Sequence, residues 1–179
     1  MKHKNKHTLN YLLTPDYVFN TYDEVTPEFL NSLGIKALLI DIDNTLAPYE
    51  QALPNEKTIK WFEELKAAGI SASLISNNHQ RRVKLFSSLL DIDAYANSAK
   101  PLAKTKVLAM KKMGSTPENT AGLGDQLFTD TLAAHRLDII SIIVPPIKDK
   151  RSIFVLSKRL LERPFMRRYA RLQKKGDEK

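Results

Sequence analysis

Apolar residues in this chain come in short unbroken runs, separated by longer segments in which they recur every three or four positions. Residues 36–42, KALLIDI, lack the alternation of a half-exposed strand and are bounded by Gly34 and by polar residues, which predicts a strand buried on both faces. Residues 55–68 place Ile59, Phe62 and Leu65 on one helical face, with Asn55 as cap and Gly69 as terminator, so a helix is expected there. The same reading predicts strands at 70–76, 93–98, 119–125 and 138–144, the last ended by Pro145 and Pro146. Helices are expected at 79–90, at 102–113 before Gly114, and at 128–137, with Trp61, Phe62 and Phe86 in the core.

Unalternating strands, each followed by a helix, predict an α/β fold: a doubly wound, Rossmann-like parallel sheet in a three-layer α/β/α arrangement. Three segments are expected: residues 1–34 packing on or leading into the core, a core at 35–150, and a tail at 151–179. Ligands of such sheets lie at the carboxyl ends of the strands. Those positions hold Asp41 and Asp43 after the first strand, Ser76 with Asn77 and Asn78 after the second, Lys100 before Pro101 after the third, and Asp125 with Asp130 after the fourth. Residues two apart on a strand share a face, so Asp41 and Asp43 are expected in one cleft. Their mutual repulsion raises one pKa or calls for a cation. With Asp125 as a third hard oxygen ligand and no His or Cys nearby, the cation expected is Mg²⁺. Lys100 adds positive charge and Ser76 a hydroxyl donor, and a helix opening at residues 76–78 would offer its free N–H groups to an anion. The result is a phosphate site with a nucleophile in it.

The stretches DIDNTL, LISNN, AKP and GDQLFTD, in this order, resemble the four motifs of the haloacid dehalogenase (HAD) superfamily of phosphatases, over about residues 35–144. More narrowly, the lead-in LTPDYVFNTYDEVTPEFLNSLGIKALLIDIDNTL and the basic tail resemble the YqeG family of subclass IIIA, itself similar to phosphatases of phosphatidylglycerophosphate. The resemblance implies that Asp41 attacks phosphorus to form an aspartyl-phosphate, and that Asp43 serves as acid and then base. Ser76 and Lys100 would hold the phosphoryl oxygens. Asp41, Asp43 (through its main-chain carbonyl), Asp125 and Asp130 would surround Mg²⁺, Asp130 either as a ligand or by orienting Asp125 and Lys100. Asn44, Thr45 and Asn77 are further candidates for substrate contact. The intervals between motifs leave no room for a large cap domain, so an open site is expected, with residues 46–54 as a small flap and Tyr49 at its tip.

Charge and composition narrow the partners. The net charge of +8 falls in the tail, where residues 151–175 carry nine Lys or Arg against Glu162, leaving the remainder neutral. In that tail Phe154, Leu161, Phe165, Tyr169 and Leu172 form a helical stripe opposite the arginines, and Pro164 is expected to divide it into two helices. Such a stripe can pack on the body or lie on an anionic bilayer, which would suit a phospholipid head group as substrate. The rival readings are a phosphatase of a soluble metabolite or phosphoprotein, and an RNA- or ribosome-associated protein with a vestigial site. There is no cysteine, hence no disulfide framework or thiolate metal site. The longest apolar run, residues 139–147, is too short to cross a bilayer, and the basic start lacks the pattern of a secretory signal. A cytoplasmic location, peripheral at the inner membrane face, is expected, with the first residues unstructured.

Overall fold

The computed structural model describes residues 8–148 and 153–177, and the side chains of residues 160–174 in the last helix. The basic start lies outside the described residues, as does the side chain of Phe154 in the tail stripe. In chain order the elements are α1 (Leu9–Leu12), β1 (Tyr17–Val18), α2 (Pro27–Ser32), β2 (Ala37–Ile40), α3 (Glu56–Ala67), β3 (Ser71–Ile75) and α4 (Gln80–Ser87). There follow β4 (Asp93–Tyr95), α5 (Lys104–Met113), β5 (Thr120–Gly124), a π-helical turn (Leu127–Thr131), α6 (Leu132–His135), β6 (Ile140–Ile143) and α7 (Ile153–Asp177).

The six strands form one parallel sheet in the order β1-β6-β5-β2-β3-β4. All four residues of β2 are buried, as an unbroken apolar run at the centre of a covered sheet requires. Alternation then divides its side chains between two layers. Leu38 and Ile40 pack with Trp61, Phe62, Leu65 and Phe86, whereas Leu39 joins Ala109, Met110 and Ala134 on the other face. The doubly wound α/β architecture and the aromatic core read from the sequence are both present. Between Asp43 and β3 the chain forms a loop and α3, so no large cap is inserted there.

The unexpected elements lie at the two ends. The lead-in supplies a sixth strand, β1, only two residues long, and buries Tyr22, Val25 and Leu30 in the main core. The Tyr22 hydroxyl meets Thr58 Oγ1 at 2.8 Å, and Trp61 Nε1 donates to the Val25 carbonyl at 3.1 Å. Helix α7 is continuous through Pro164, contrary to the expected division. Proline removes one bond, to the carbonyl of Leu160, and the exposed surroundings of residues 160, 161, 163 and 164 leave that carbonyl to water.

The docked face of α7 also differs from the expected stripe. Leu161 and Leu172 are exposed, while Phe165 and Met166 pack on Leu13, Leu127 and Ile143. Tyr169 reaches β1, its hydroxyl accepting from Val18 N at 3.2 Å. Glu162 is buried and accepts from Leu127 N at 2.9 Å. A hydrogen bond to a charged acceptor contributes about 2 kcal/mol. Glu162→Ala is therefore expected to lower the unfolding free energy by about that amount in urea titration, and an unchanged midpoint would show that docking does not depend on this bond.

Candidate active site

The sheet order explains the position of the site. From β2 the chain winds outward through β3 and β4, then returns to place β5 against the other side of β2. The carboxyl ends of β2 and β5 thus form the switch point at which such sheets open a crevice. In-register pairing of Ile40 with Leu123, continued by Asp41 N donating to the Leu123 carbonyl at 2.9 Å, sets the residues after these two strands side by side.

Asp41, Asp125 and Asp130 are buried there, and one oxygen from each lies within 4.8 Å of the others, an arrangement that can hold a metal ion. Lys100 Nζ is 2.5 Å from Asp41 Oδ1 and 2.8 Å from Asp130 Oδ1. Asp130 is held by the π-helical turn, in which its own N–H bonds to the Gln126 carbonyl while its carboxylate accepts from Gln126 N at 3.2 Å. Gly124 makes this fit possible, because a Cβ there would overlap the carboxyl group of Asp130.

The Asp43 carboxylate does not join that cluster, although both aspartates line one cleft of about 370 Å³. Strand β2 ends at Ile40, and the chain then curls so tightly that the N–H groups of Thr45, Leu46 and Ala47 all bond to the Ile42 carbonyl. Asn44 adopts a positive φ of 66° within this curl. Asp43 therefore turns toward β3, accepting from Asn78 Nδ2 at 3.1 Å, Ser76 Oγ at 3.4 Å and Arg82 Nε at 3.3 Å. The pair thus divides into one carboxylate beside Lys100 and one beside Arg82.

Asn77 clamps the loop that carries Lys100, its Oδ1 accepting from Lys100 N at 2.7 Å and from Ser98 Oγ at 3.0 Å. Asn44 and Thr45 are buried within the curl and do not line the cleft. The expected helix opening at Ser76 is displaced: Ser76 Oγ accepts from Asn78 N at 3.0 Å, and the cap of α4 is His79, whose Nδ1 accepts from Arg82 N at 3.2 Å. Tyr49 forms part of the cleft wall, as the flap reading anticipated; burial, then Asp43, Asp125 and Asp41, raise its phenol above the usual value.

Four residues of the site escaped the sequence reading. Arg82 is buried and spans from Asp43 to the flap, its Nη1 donating to the Ala52 carbonyl at 3.1 Å. Gln126 and Thr129 line the cleft. Lys106 is buried on the same face of α5 as Ala109 and Met110; burial and then Lys100 lower its pKa to about 8 against the pull of Asp130 and Asp41. Spacing gave a signal for Arg82, four residues before the core residue Phe86, and for Lys106, three and four residues before Ala109 and Met110.

Burial raises the Asp41 carboxyl from 3.8 to about 6, with Lys100 opposing and Asp130 and Asp43 adding to the rise. Burial also weighs on Lys100, but Asp130 and Asp41 outweigh it and hold the ammonium above its ordinary range. At Asp130 burial is overcome by Lys100, Lys106 and hydrogen bonds, so its pKa is lowered. A carboxyl whose pKa rises on folding costs stability as pH climbs from its unfolded value through its folded one. For Asp41 that window runs from 3.8 to about 6, equivalent to about 3 kcal/mol above it. Asp41→Asn is accordingly expected to raise the thermal midpoint of metal-free protein at pH 8, and to have little effect at about pH 4. An equal shift at both pH values would contradict this. Gly124→Ala should displace Asp130 and shrink the rise in midpoint that a divalent cation gives; an undiminished rise would show that Asp130 has room to move.

Residues 9–138 match the haloacid dehalogenase-like hydrolase family. The chain is 34% identical over 166 residues to the "Probable phosphatase YqeG" of Bacillus subtilis (strain 168), covering 93% of this chain and 94% of that protein. Among solved structures, a protein of Listeria monocytogenes serotype 4b superposes with a TM-score of 0.52 over 66% of this chain and 85% of that one, at 14% identity. CbbY of Rhodobacter sphaeroides, crystallised in complex with phosphate, superposes with a TM-score of 0.50 over 67% and 90%, also at 14% identity. These two likenesses concern the fold alone. The family match and the YqeG likeness span the cleft residues from Asp41 to Asp130, and the chain belongs to the haloacid dehalogenase-like hydrolases as a HAD-type phosphatase.

Proposed function

We propose that this protein is a Mg²⁺-dependent phosphomonoesterase that removes the terminal phosphate of phosphatidylglycerophosphate, yielding phosphatidylglycerol, at the cytoplasmic membrane face. The observation that carries the enzymatic part is the meeting of Asp41, Asp43, Ser76 and Lys100 in one cleft, where Asp41 also belongs to the cluster with Asp125 and Asp130. Three buried carboxylates converge here, two of them bonded to Lys100 with Lys106 buried nearby, and hard oxygen donors suit Mg²⁺. Asp41, Asp125 and Asp130 would hold the ion, joined by the main-chain carbonyl of Asp43, and when bound it supplies charge compensation for substrate phosphate.

Asp41 Oδ attacks phosphorus as the ester oxygen leaves, giving an aspartyl-phosphate. Asp43 hands its proton to that departing oxygen and then takes one from the water that hydrolyses the acyl phosphate. Lys100 draws off the negative charge of Asp41 until substrate arrives, and with Ser76 Oγ it meets the charge that develops on the phosphoryl oxygens. Arg82 holds Asp43 at the leaving-group side of the cleft.

The lipid part draws on three supports: the absence of a large cap over the cleft, the basic helix α7, and the resemblance of the lead-in and tail to the YqeG family. A head group projecting from a bilayer can enter an open cleft without being enclosed. Purified protein with Mg²⁺ is expected to release phosphate from phosphatidylglycerophosphate in vesicles, and Asp41→Asn to reduce the rate by at least about a thousandfold. Turnover confined to soluble sugar phosphates or nucleotides would remove the lipid and leave the phosphatase.

A further inference from the structure

A second cavity, of about 690 Å³, continues along the same edge of the sheet beyond the catalytic cleft. It lies at the carboxyl ends of β1 and β6, under α7, and its walls are mainly apolar, among them Phe19, Leu127, Val144, Pro145, Pro146 and Met166, with the carboxylates of Asp125 and Glu162 at its margin. Arg163 and Arg167, four residues apart on one face of α7, stand in its wall, with Ala170 one turn further on. The two cavities share a partition. Asp125, a member of the carboxylate cluster, and Leu127 line the apolar one, and Gln126, between them, lines the catalytic one, so the two cavities meet at the loop after β5.

We infer that this groove receives a hydrocarbon chain of the phosphate monoester whose phosphorus lies over Asp41, with Arg163 and Arg167 meeting the anionic linkage between the two. The inference rests on the phosphomonoesterase reading and adds a chain-binding subsite to it. Two observations select this occupant. The apolar groove and the catalytic cleft lie on the two sides of the loop after β5, so one molecule with a polar and an apolar end can reach across that loop into both. The Glu162 carboxylate in this wall accepts from Leu127 N, and Arg163 and Arg167 beside the apolar residues complement an amphiphile that carries negative charge at the head of its chain.

The groove can be tested with n-alkyl phosphates from ethyl to octyl, kept below their micelle concentrations, using the full-length protein with Mg²⁺. Each substrate reacts with one water to give the alcohol and inorganic phosphate. Complete burial of a methylene corresponds to up to roughly a fourfold gain in kcat/KM, so the constant is expected to climb with chain length until the groove is full. Ala170 is exposed on α7 and lines the groove, so Ala170→Trp fills it from the solvent side; this variant should flatten the climb several-fold relative to ethyl phosphate, which is the reference for a folded site. A flat profile in the wild type, or the same climb in both proteins, would overturn the inference. The two readings fail separately. A chain-length climb without turnover of phosphatidylglycerophosphate vesicles would retain the groove and remove that lipid, whereas vesicle turnover with a flat profile would do the reverse.

Discussion

The constraint from which the site follows is the pairing of β2 with β5 at the centre of the sheet. It brings together residues more than eighty positions apart and forces three carboxylates into a space with little water. Like charges so placed oppose folding, and Lys100 offsets part of that opposition by bonding to two of them. What remains leaves Asp41 poorly stabilised as an anion, within an arrangement of carboxylates that can hold a cation. Stability has been surrendered at the place where chemistry is needed.

Around that centre, neighbours act by holding loops in place. Asn77 fixes the backbone of Lys100, the Ile42 carbonyl gathers the chain into a curl that aims Asp43 away from Asp41, and Arg82 joins Asp43 to the flap. Two aspartates two residues apart thereby come to inhabit different electrostatic surroundings, one beside a lysine and a carboxylate cluster, the other beside an arginine. Separating the surroundings of paired acids is how one cleft accommodates a nucleophile and a proton carrier.

Much of this was legible in the residue pattern, because the central strands are buried on both faces and so appear as unbroken apolar runs. The strand ends then pointed to Asp41, Ser76, Lys100 and Asp125 with no further information. What was hidden depends on tertiary packing. A two-residue strand such as β1 leaves no periodicity to detect, and its existence depends on β6, over a hundred positions away. Helical spacing alone counted Leu161 and Leu172 as contact residues, whereas the face that docks is chosen by Glu162 and Met166 meeting the loop after β5. Arg82 and Lys106 resemble ordinary surface bases until the fold buries them. The expectation that Asp43 would share the orientation of Asp41 assumed a strand that in fact ends at Ile40.

The contact between Tyr169 and β1 matters beyond the docking of α7. Strand β1 is flanked by a neighbour on one side only, and Phe19 N already bonds to that neighbour at Ile143, leaving Val18 N directed outward. An outward amide on a flat margin invites the backbone of another molecule to add itself as a further strand. The phenol oxygen occupies that amide, so the tail also acts as a guard against intermolecular sheet growth. A chain severed ahead of α7 would lose this guard and become prone to self-association.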